Sequence, residues 1–167
     1  MTKIRTAKIE DIPIIHKIEK QVVGLDAEYE GTLKQRLKMF PDGFRVAEKK
    51  KRIIGYVESC IWNLNDFNTF NEIRGFYRHF DENGKNLYVI HLAVDEEYRR
   101  RGIGSELIKN LRKYSEERKL EEIQLVAEDK LINFYEKLGF RVSKRLPYFL
   151  SRSGGNLMKS RISQSRT

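Results

Sequence analysis

The residues best arranged for chemistry are Arg99-Arg100-Arg101-Gly102-Ile103-Gly104, which follow an apolar run and open a helical pattern. A turn that enters a helix leaves backbone N–H groups without partners, and the helix dipole favours negative charge at the same spot. Glycines let a phosphate approach the backbone with no Cβ in the way. Arginines add charge-assisted hydrogen bonds. A pyrophosphate fits this description. Other phosphate loops fit worse: a Gly-Lys-Ser/Thr sequence is missing, and Leu107 stands where a dinucleotide loop needs its third glycine. The plainer alternative is a tight turn with surface arginines.

The elements that must hold this loop can be read from periodicity. Residues 1–8 alternate as an opening strand. Asp11 reads as an N-cap with Pro13 in the first turn, and Ile14, Ile18 and Val22 follow at helical spacing. Ala27 to Met39 reads as a second helix, stopped before Pro41. Phe44 to Glu48 and Ile53 to Trp62 read as strands joined by a Lys/Arg hairpin. Leu87 to Val94 is nearly continuously apolar, as in a strand covered on both faces. After Gly102 comes a helix with the stripe Ile103, Leu107, Ile108, Leu111 and Tyr114. Ile123 to Ala127 is the next strand. Leu131, Phe134, Tyr135 and Leu138 form a last helical stripe ended by Gly139. Phe140 to Ser143 and Leu157 to Ile162 read as closing strands. Strand, crossover helix, strand implies a parallel pair, and the hairpins imply antiparallel ones. The predicted class is α/β of the α+β type, a mixed, mostly antiparallel sheet of six or seven strands with helices on both faces.

Composition bounds the rest. A chain of 167 residues fits one domain, predicted over 1–162 with a frayed basic tail over 163–167. The single cysteine, Cys60, excludes an intrachain disulfide and reads as a buried thiol. The three histidines are far apart, so no metal site is expected. No apolar run reaches membrane length and no signal-peptide pattern opens the chain, so a soluble cytoplasmic protein is expected. The net charge of +9 is uneven, with seven basic and no acidic residues from Arg141 onward. The aromatics do not interleave with the basic runs, and no nucleic-acid module is visible, so nucleic acid is not expected as a partner.

Two stretches together resemble the GNAT superfamily of acetyl-CoA-dependent N-acetyltransferases. The first is His91-Leu92-Ala93-Val94 followed by Tyr98-Arg99-Arg100-Arg101-Gly102-Ile103-Gly104-Ser105. The second is Phe134-Tyr135-Glu136-Lys137-Leu138-Gly139-Phe140. The resemblance implies the GNAT fold, with the parallel pair at the centre of the sheet, and acetyl-CoA as co-substrate. It implies that Leu92, Ala93 and Val94 lend backbone groups to the pantetheine arm, as in strand addition. It places the pyrophosphate on Arg99 to Gly104, with Ser105 completing the cofactor motif. Tyr135 matches the tyrosine often set beside the coenzyme sulfur, where a phenol with a reference pKa of ~10 can serve the leaving thiolate. Its other reading is packing beside Phe134 and Leu138.

Amine attack also needs a proton acceptor. Tyr88 falls where many relatives carry a glutamate or histidine. His91 has the better pKa, although period-2 alternation puts it on the opposite strand face from Tyr88. Glu128, at a strand end, is the third candidate, and all three stay open. For the acceptor, Ala127-Glu128-Asp129-Lys130-Leu131 resembles the arylalkylamine branch, which favours a small amine or polyamine. Pro147-Tyr148 before a Gly-Gly turn resembles the protein N-terminal branch, which leaves a peptide amine or lysine as the alternative. A non-catalytic acyl-CoA sensor is the alternative of another class. Either a monomer or a homodimer is expected. The segment from Trp62 to Asn86 carries Trp62, Phe67, Phe70, Phe76, Tyr77 and Phe80. It reads either as an aromatic acceptor pocket, with Asp66, Glu72, Asp81 or Glu82 drawing in a cation, or as a segment packed on the sheet.

Overall fold

A computed structural model describes residues 1–147 and 154–164. Its strands are β1 (Lys3–Thr6), β2 (Phe44–Lys49), β3 (Arg52–Trp62), β4 (Asn86–Val94), β5 (Glu122–Ala127), β6 (Arg141–Leu146) and β7 (Gly155–Arg161). The helices are α1 (Ile12–Val23), α2 (Glu30–Met39), α3 (Phe70–Ile73), α4 (Ile103–Glu117) and α5 (Ile132–Glu136). The strands form one seven-stranded sheet in the order β1-β2-β3-β4-β5-β7-β6. β4 and β5 run parallel, Tyr88 opposite Gln124. The pairs β1–β2, β2–β3, β5–β7 and β6–β7 are antiparallel.

Two compact units share these elements, Met1–Ser59 with Ile90–Leu111, and Cys60–Val89 with Arg112–Thr167. In the first unit, Ile12, Ile15, Ile18, Leu33, Leu37, Phe44, Val46, Tyr56 and Ala93 form a buried cluster. Burying each large apolar side chain contributes about 1.5–3 kcal/mol. The β2–β3 hairpin turns through Lys50 at φ 49° and Lys51 at φ 64°. Two successive positive φ angles match the twist of the flanking strands, a geometry more often given to Asn-Gly.

The inward face of α1 keeps Ile18 from the predicted stripe but not its other two residues. Ile14 is 43% exposed and Val22 46%, whereas Ile12, Ile15 and Ile18 are buried. A helix with this many isoleucines offers more than one stripe, and packing chose the other. Asp11 does not cap α1 with its side chain. It accepts from the Lys8 N–H at 2.8 Å and from both Nη atoms of Arg5, at 2.7 and 3.0 Å. The predicted second helix also starts later, at Glu30, because the backbone is extended at Ala27 and Tyr29, with ψ of 140° and 145°.

In the second unit, Trp62 is fully buried and donates Nε1–H to Oε1 of Gln124 at 2.8 Å. Phe67 and Phe76 pack around it. Half of the segment's six predicted aromatics are therefore core: Trp62, Phe67 and Phe76 are buried, Phe70 and Phe80 are half-buried, and Tyr77 is 68% exposed. Of its four carboxylates, those of Asp66, Glu72 and Asp81 are tied into structure, and Glu82 takes part through its backbone carbonyl, which accepts from Arg118. Asp66 pairs with Lys144 at 2.6 Å, Glu72 accepts from the Asn68 and Thr69 N–H groups, and Asp81 accepts from Asn63 and the Asn83 N–H. Cys60 is buried, as expected. Of the Pro147-Tyr148 feature, Tyr148 lies outside the described residues, as do 165–167 of the tail.

Candidate active site

The glycine loop lies in the first unit. Val94 ends β4, and the Asp95 N–H bonds to the carbonyl of Ile54 at 2.9 Å. Asp95, 6% exposed, then organises the turn. Its carboxylate accepts from the Glu97 N–H at 3.1 Å and from Nη2 of Arg52 at 3.1 Å. The Tyr98 N–H returns to the Asp95 carbonyl at 2.8 Å. The sequence reading passed over Asp95; a carboxylate directly after an apolar strand was the available signal.

Arg99, Arg100, Arg101 and Gly102 are all exposed. Arg100 sits at φ 59° and Gly102 at φ 80°. Arg99 Nε braces the strand end by donating to the Val94 carbonyl at 3.1 Å, and Arg101 lies 5.3 Å from the centre of the Tyr98 ring. The Glu106 N–H bonds to the Gly102 carbonyl at 3.0 Å, so the N–H groups of Ile103, Gly104 and Ser105 precede the first helical bond. A Cβ built on Gly102 meets nothing within 4 Å, so space above this turn is open. Exposed arginines, unclaimed helix N–H groups and open space together suit an anion such as a pyrophosphate. Close packing elsewhere holds the loop: a Cβ on Gly55 would come 3.1 Å from the Ala93 carbonyl and 3.2 Å from Cγ2 of Ile103.

Tyr135 and Tyr88 both lie in the second unit. Tyr135, on α5, is 7% exposed and meets Phe134 and Phe140 edge to face, with centroids at 4.9 and 5.7 Å. Burial pushes its pKa well up, so the phenol keeps its proton across ordinary pH. Tyr88 is buried beneath Trp62, Phe67 and Phe76. Its pKa is also pushed up, first by burial and then by Cys60 and Tyr135. Glu128 follows β5 and pairs with Lys130 at 3.3 Å.

His91 belongs to the first unit, one residue before Leu92. Its Nδ1 is buried, 3.3 Å from Oε1 of Glu19 and 3.5 Å from Oε2 of Glu58. Arg36 closes the group, Nη1 donating to Glu58 at 3.3 Å and Nη2 to Glu28 at 3.0 Å. Burial works to lower the His91 pKa, but Glu58 and Glu19 outweigh it and raise the value. Glu19 is raised by its own burial, against the pull of His91. Sequence reasoning missed both carboxylates. The signals were a glutamate beside the isoleucine stripe of α1 and one in the middle of an apolar strand. Among the described residues, no group of three or more His, Cys, Asp or Glu is placed to hold a metal. No helix there is long and apolar enough to cross a membrane.

Comparisons with known proteins bear on this arrangement. Residues 14–140 match the acetyltransferase (GNAT) family. An N-alpha-acetyltransferase of Sulfurisphaera tokodaii is 29% identical over 152 residues, covering 88% of this chain and 84% of that protein. Ard1 from Thermoplasma volcanium shares the fold with a TM-score of 0.77 at 21% identity, over 98% of this chain and 99% of that one. Arabidopsis thaliana Naa50, solved with the bisubstrate analogue CoA-Ac-MVNAL, gives 0.72 at 16% identity, over 95% and 97% of the two chains. Family match, seven-stranded sheet with its parallel pair, and glycine loop agree: the chain belongs to the GNAT acetyltransferase family, and is an acyl-CoA-dependent N-acyltransferase with acetyl-CoA as co-substrate.

Proposed function

We propose that this protein acetylates the α-amine at the N-terminus of a peptide or protein. The observation that carries this is the relatedness to the N-alpha-acetyltransferase of Sulfurisphaera tokodaii over 88% of the chain. It favours the peptide acceptor over the small amine that the Glu128-Asp129 segment suggested. The placement of Asp129 supports the change, because Arg145 and Asn156 both bond to its carboxylate. The Asp129 carboxylate is therefore already bonded within its own unit.

In this reading, Arg99 to Ser105 hold the pyrophosphate by charge and by the N–H groups at the start of α4. Backbone groups of Leu92, Ala93 and Val94 align the pantetheine arm and supply an N–H to the oxyanion, a contribution of about 3–4 kcal/mol to the barrier. The amine nitrogen bonds to the acetyl carbonyl carbon and the C–S bond breaks. An ammonium substrate sheds one proton before attack, and a second goes to the departing thiolate. Tyr135, held as a neutral phenol, hydrogen-bonds to that sulfur. For the first proton we assign His91. Tyr88 has no phenolate to offer at ordinary pH, and Glu128 is engaged by Lys130.

Incubation with acetyl-CoA and peptides bearing free or blocked N-termini tests the reading by thiol release. Release with free α-amines alone supports it. Release with polyamines or lysine side chains, and none with free α-amines, defeats it.

A further inference from the structure

The ion group around His91 is more than packing requires. Glu19 is 2% exposed and Glu58 1%, beside a largely apolar cluster. Oε1 of Glu19 accepts the Glu28 N–H at 3.2 Å, but its Oε2 is buried with no hydrogen-bond partner among the described residues. The Tyr56 hydroxyl and Nδ1 of His91 are buried in the same state, Nδ1 facing the carboxylates at ion-pair distance without a formed hydrogen bond. Two carboxylates converge on one imidazole nitrogen, and Arg36 balances only part of their charge. Buried polar groups are ordinarily satisfied, and incomplete satisfaction concentrates where a site uses it.

The geometry is lopsided about the imidazole. Nδ1 is buried against the carboxylates, while the side chain as a whole is 21% exposed. The exposure therefore falls on side-chain atoms other than Nδ1. A carboxylate at one ring nitrogen fixes the tautomer that leaves the other free to accept a proton.

We propose that Glu19 of α1 and Glu58 of β3 are positioning residues for proton transfer: their charge beside Nδ1 of His91 keeps the imidazole proton on that nitrogen, so that Nε2 takes the proton from the acceptor's ammonium group. The inference rests on the amine-acetyltransferase reading above. The balance is simple. The ammonium loses one proton, neutral His91 gains it and becomes an imidazolium, and the two carboxylates stabilise that charge until solvent removes the proton. The groups acting on the imidazole are Glu19 from α1, Arg36 from α2 and Glu58 from β3, and Glu28, before α2, and Tyr56, on β3, lie next to these groups.

The sign follows from the carboxylates. They favour the imidazolium, so the base becomes available only above a raised pKa, and activity should climb with pH through that value. Removing either carboxylate lowers the pKa and carries the acid limb to lower pH. The test uses the full-length protein and the isosteric variants Glu19→Gln and Glu58→Gln, with folding checked by thermal unfolding. Labelled-histidine NMR, assigned with His91→Gln, gives the pKa of His91 directly. Rates with acetyl-CoA and an N-terminal peptide give the acid limb of kcat/KM. The expected result is a fall of about 1 unit in both, in each variant. An unmoved NMR pKa overturns the grip on Nδ1. A fallen NMR pKa with an unmoved acid limb overturns the catalytic role. A wild type that releases no thiol with any amine overturns the transferase reading itself, and NMR keeps that failure separate.

Discussion

Tyr88 lies stacked on Trp62, ring centroids 4.4 Å apart and planes 26° from parallel, at the centre of an aromatic core. Its position on β4 invites a catalytic reading, and its burial against these rings is the ground on which we propose a packing role instead. Tyr88→Phe keeps the ring and should change kcat less than about twofold. Tyr88→Ala should cost on the order of 3–5 kcal/mol of stability through the cavity it leaves. Denaturant unfolding and steady-state rates on the two variants separate packing from chemistry. A large kcat loss in a stable Tyr88→Phe protein would restore Tyr88 as a base candidate.

Tyr135 is expected to behave oppositely. Tyr135→Phe leaves the packing with Phe134 and Phe140 intact. Turnover should drop by roughly 10²-fold, the lower range for positioned acid catalysis, with KM for acetyl-CoA little changed. Unchanged turnover removes Tyr135 from the mechanism.

The loop has its own signature. At φ 80°, Gly102 holds a backbone conformation that a Cβ disfavours by about 1–2 kcal/mol. Gly102→Val should therefore weaken acetyl-CoA binding about tenfold or more, leaving affinity for the peptide unaltered. Isothermal titration with acetyl-CoA, and separately with peptide, checks this. Equal loss of both would point to general disruption.

Acid stability should depend on Arg5 and Asp11. Burial would raise the Asp11 pKa, but the Arg5 guanidinium and the Lys8 N–H overcome it and hold the carboxyl below its usual range. A depressed carboxyl pKa stabilises the fold above the unfolded value and loses that contribution as pH falls through the folded value. Asp11→Asn should cost about 1–3 kcal/mol near pH 7. The gap to wild type should close in strong acid. A gap of constant size from neutral pH down to about pH 2 would exclude the ion pair as its cause.

Much of this arrangement was legible in the residues. The apolar run 87–94, the arginine-glycine turn and the stripe Ile103-Leu107-Ile108-Leu111 are all local patterns, and each appears where local physics puts it. What periodicity could not choose was the inward face of α1, because Ile14 and Ile15 both lie on plausible stripes. The answer depends on packing against Phe44, Val46 and Ala93, partners far away in sequence. The same long-range character hid Asp95 with Arg52 and Glu58 with Arg36, pairs that no single window contains. The aromatic segment was ambiguous for another reason. Composition says that rings gather there, and only three-dimensional packing decides between a pocket and a core.

Peptide acetylation is tested most directly by mass spectrometry of the product. The protein is incubated with acetyl-CoA and a peptide that carries both a free α-amine and a lysine. The expected product has a single acetyl group on the α-amine, formed with one equivalent of free thiol. Acetyl groups found only on the lysine side chain, or thiol release without any acetylated peptide, would contradict it.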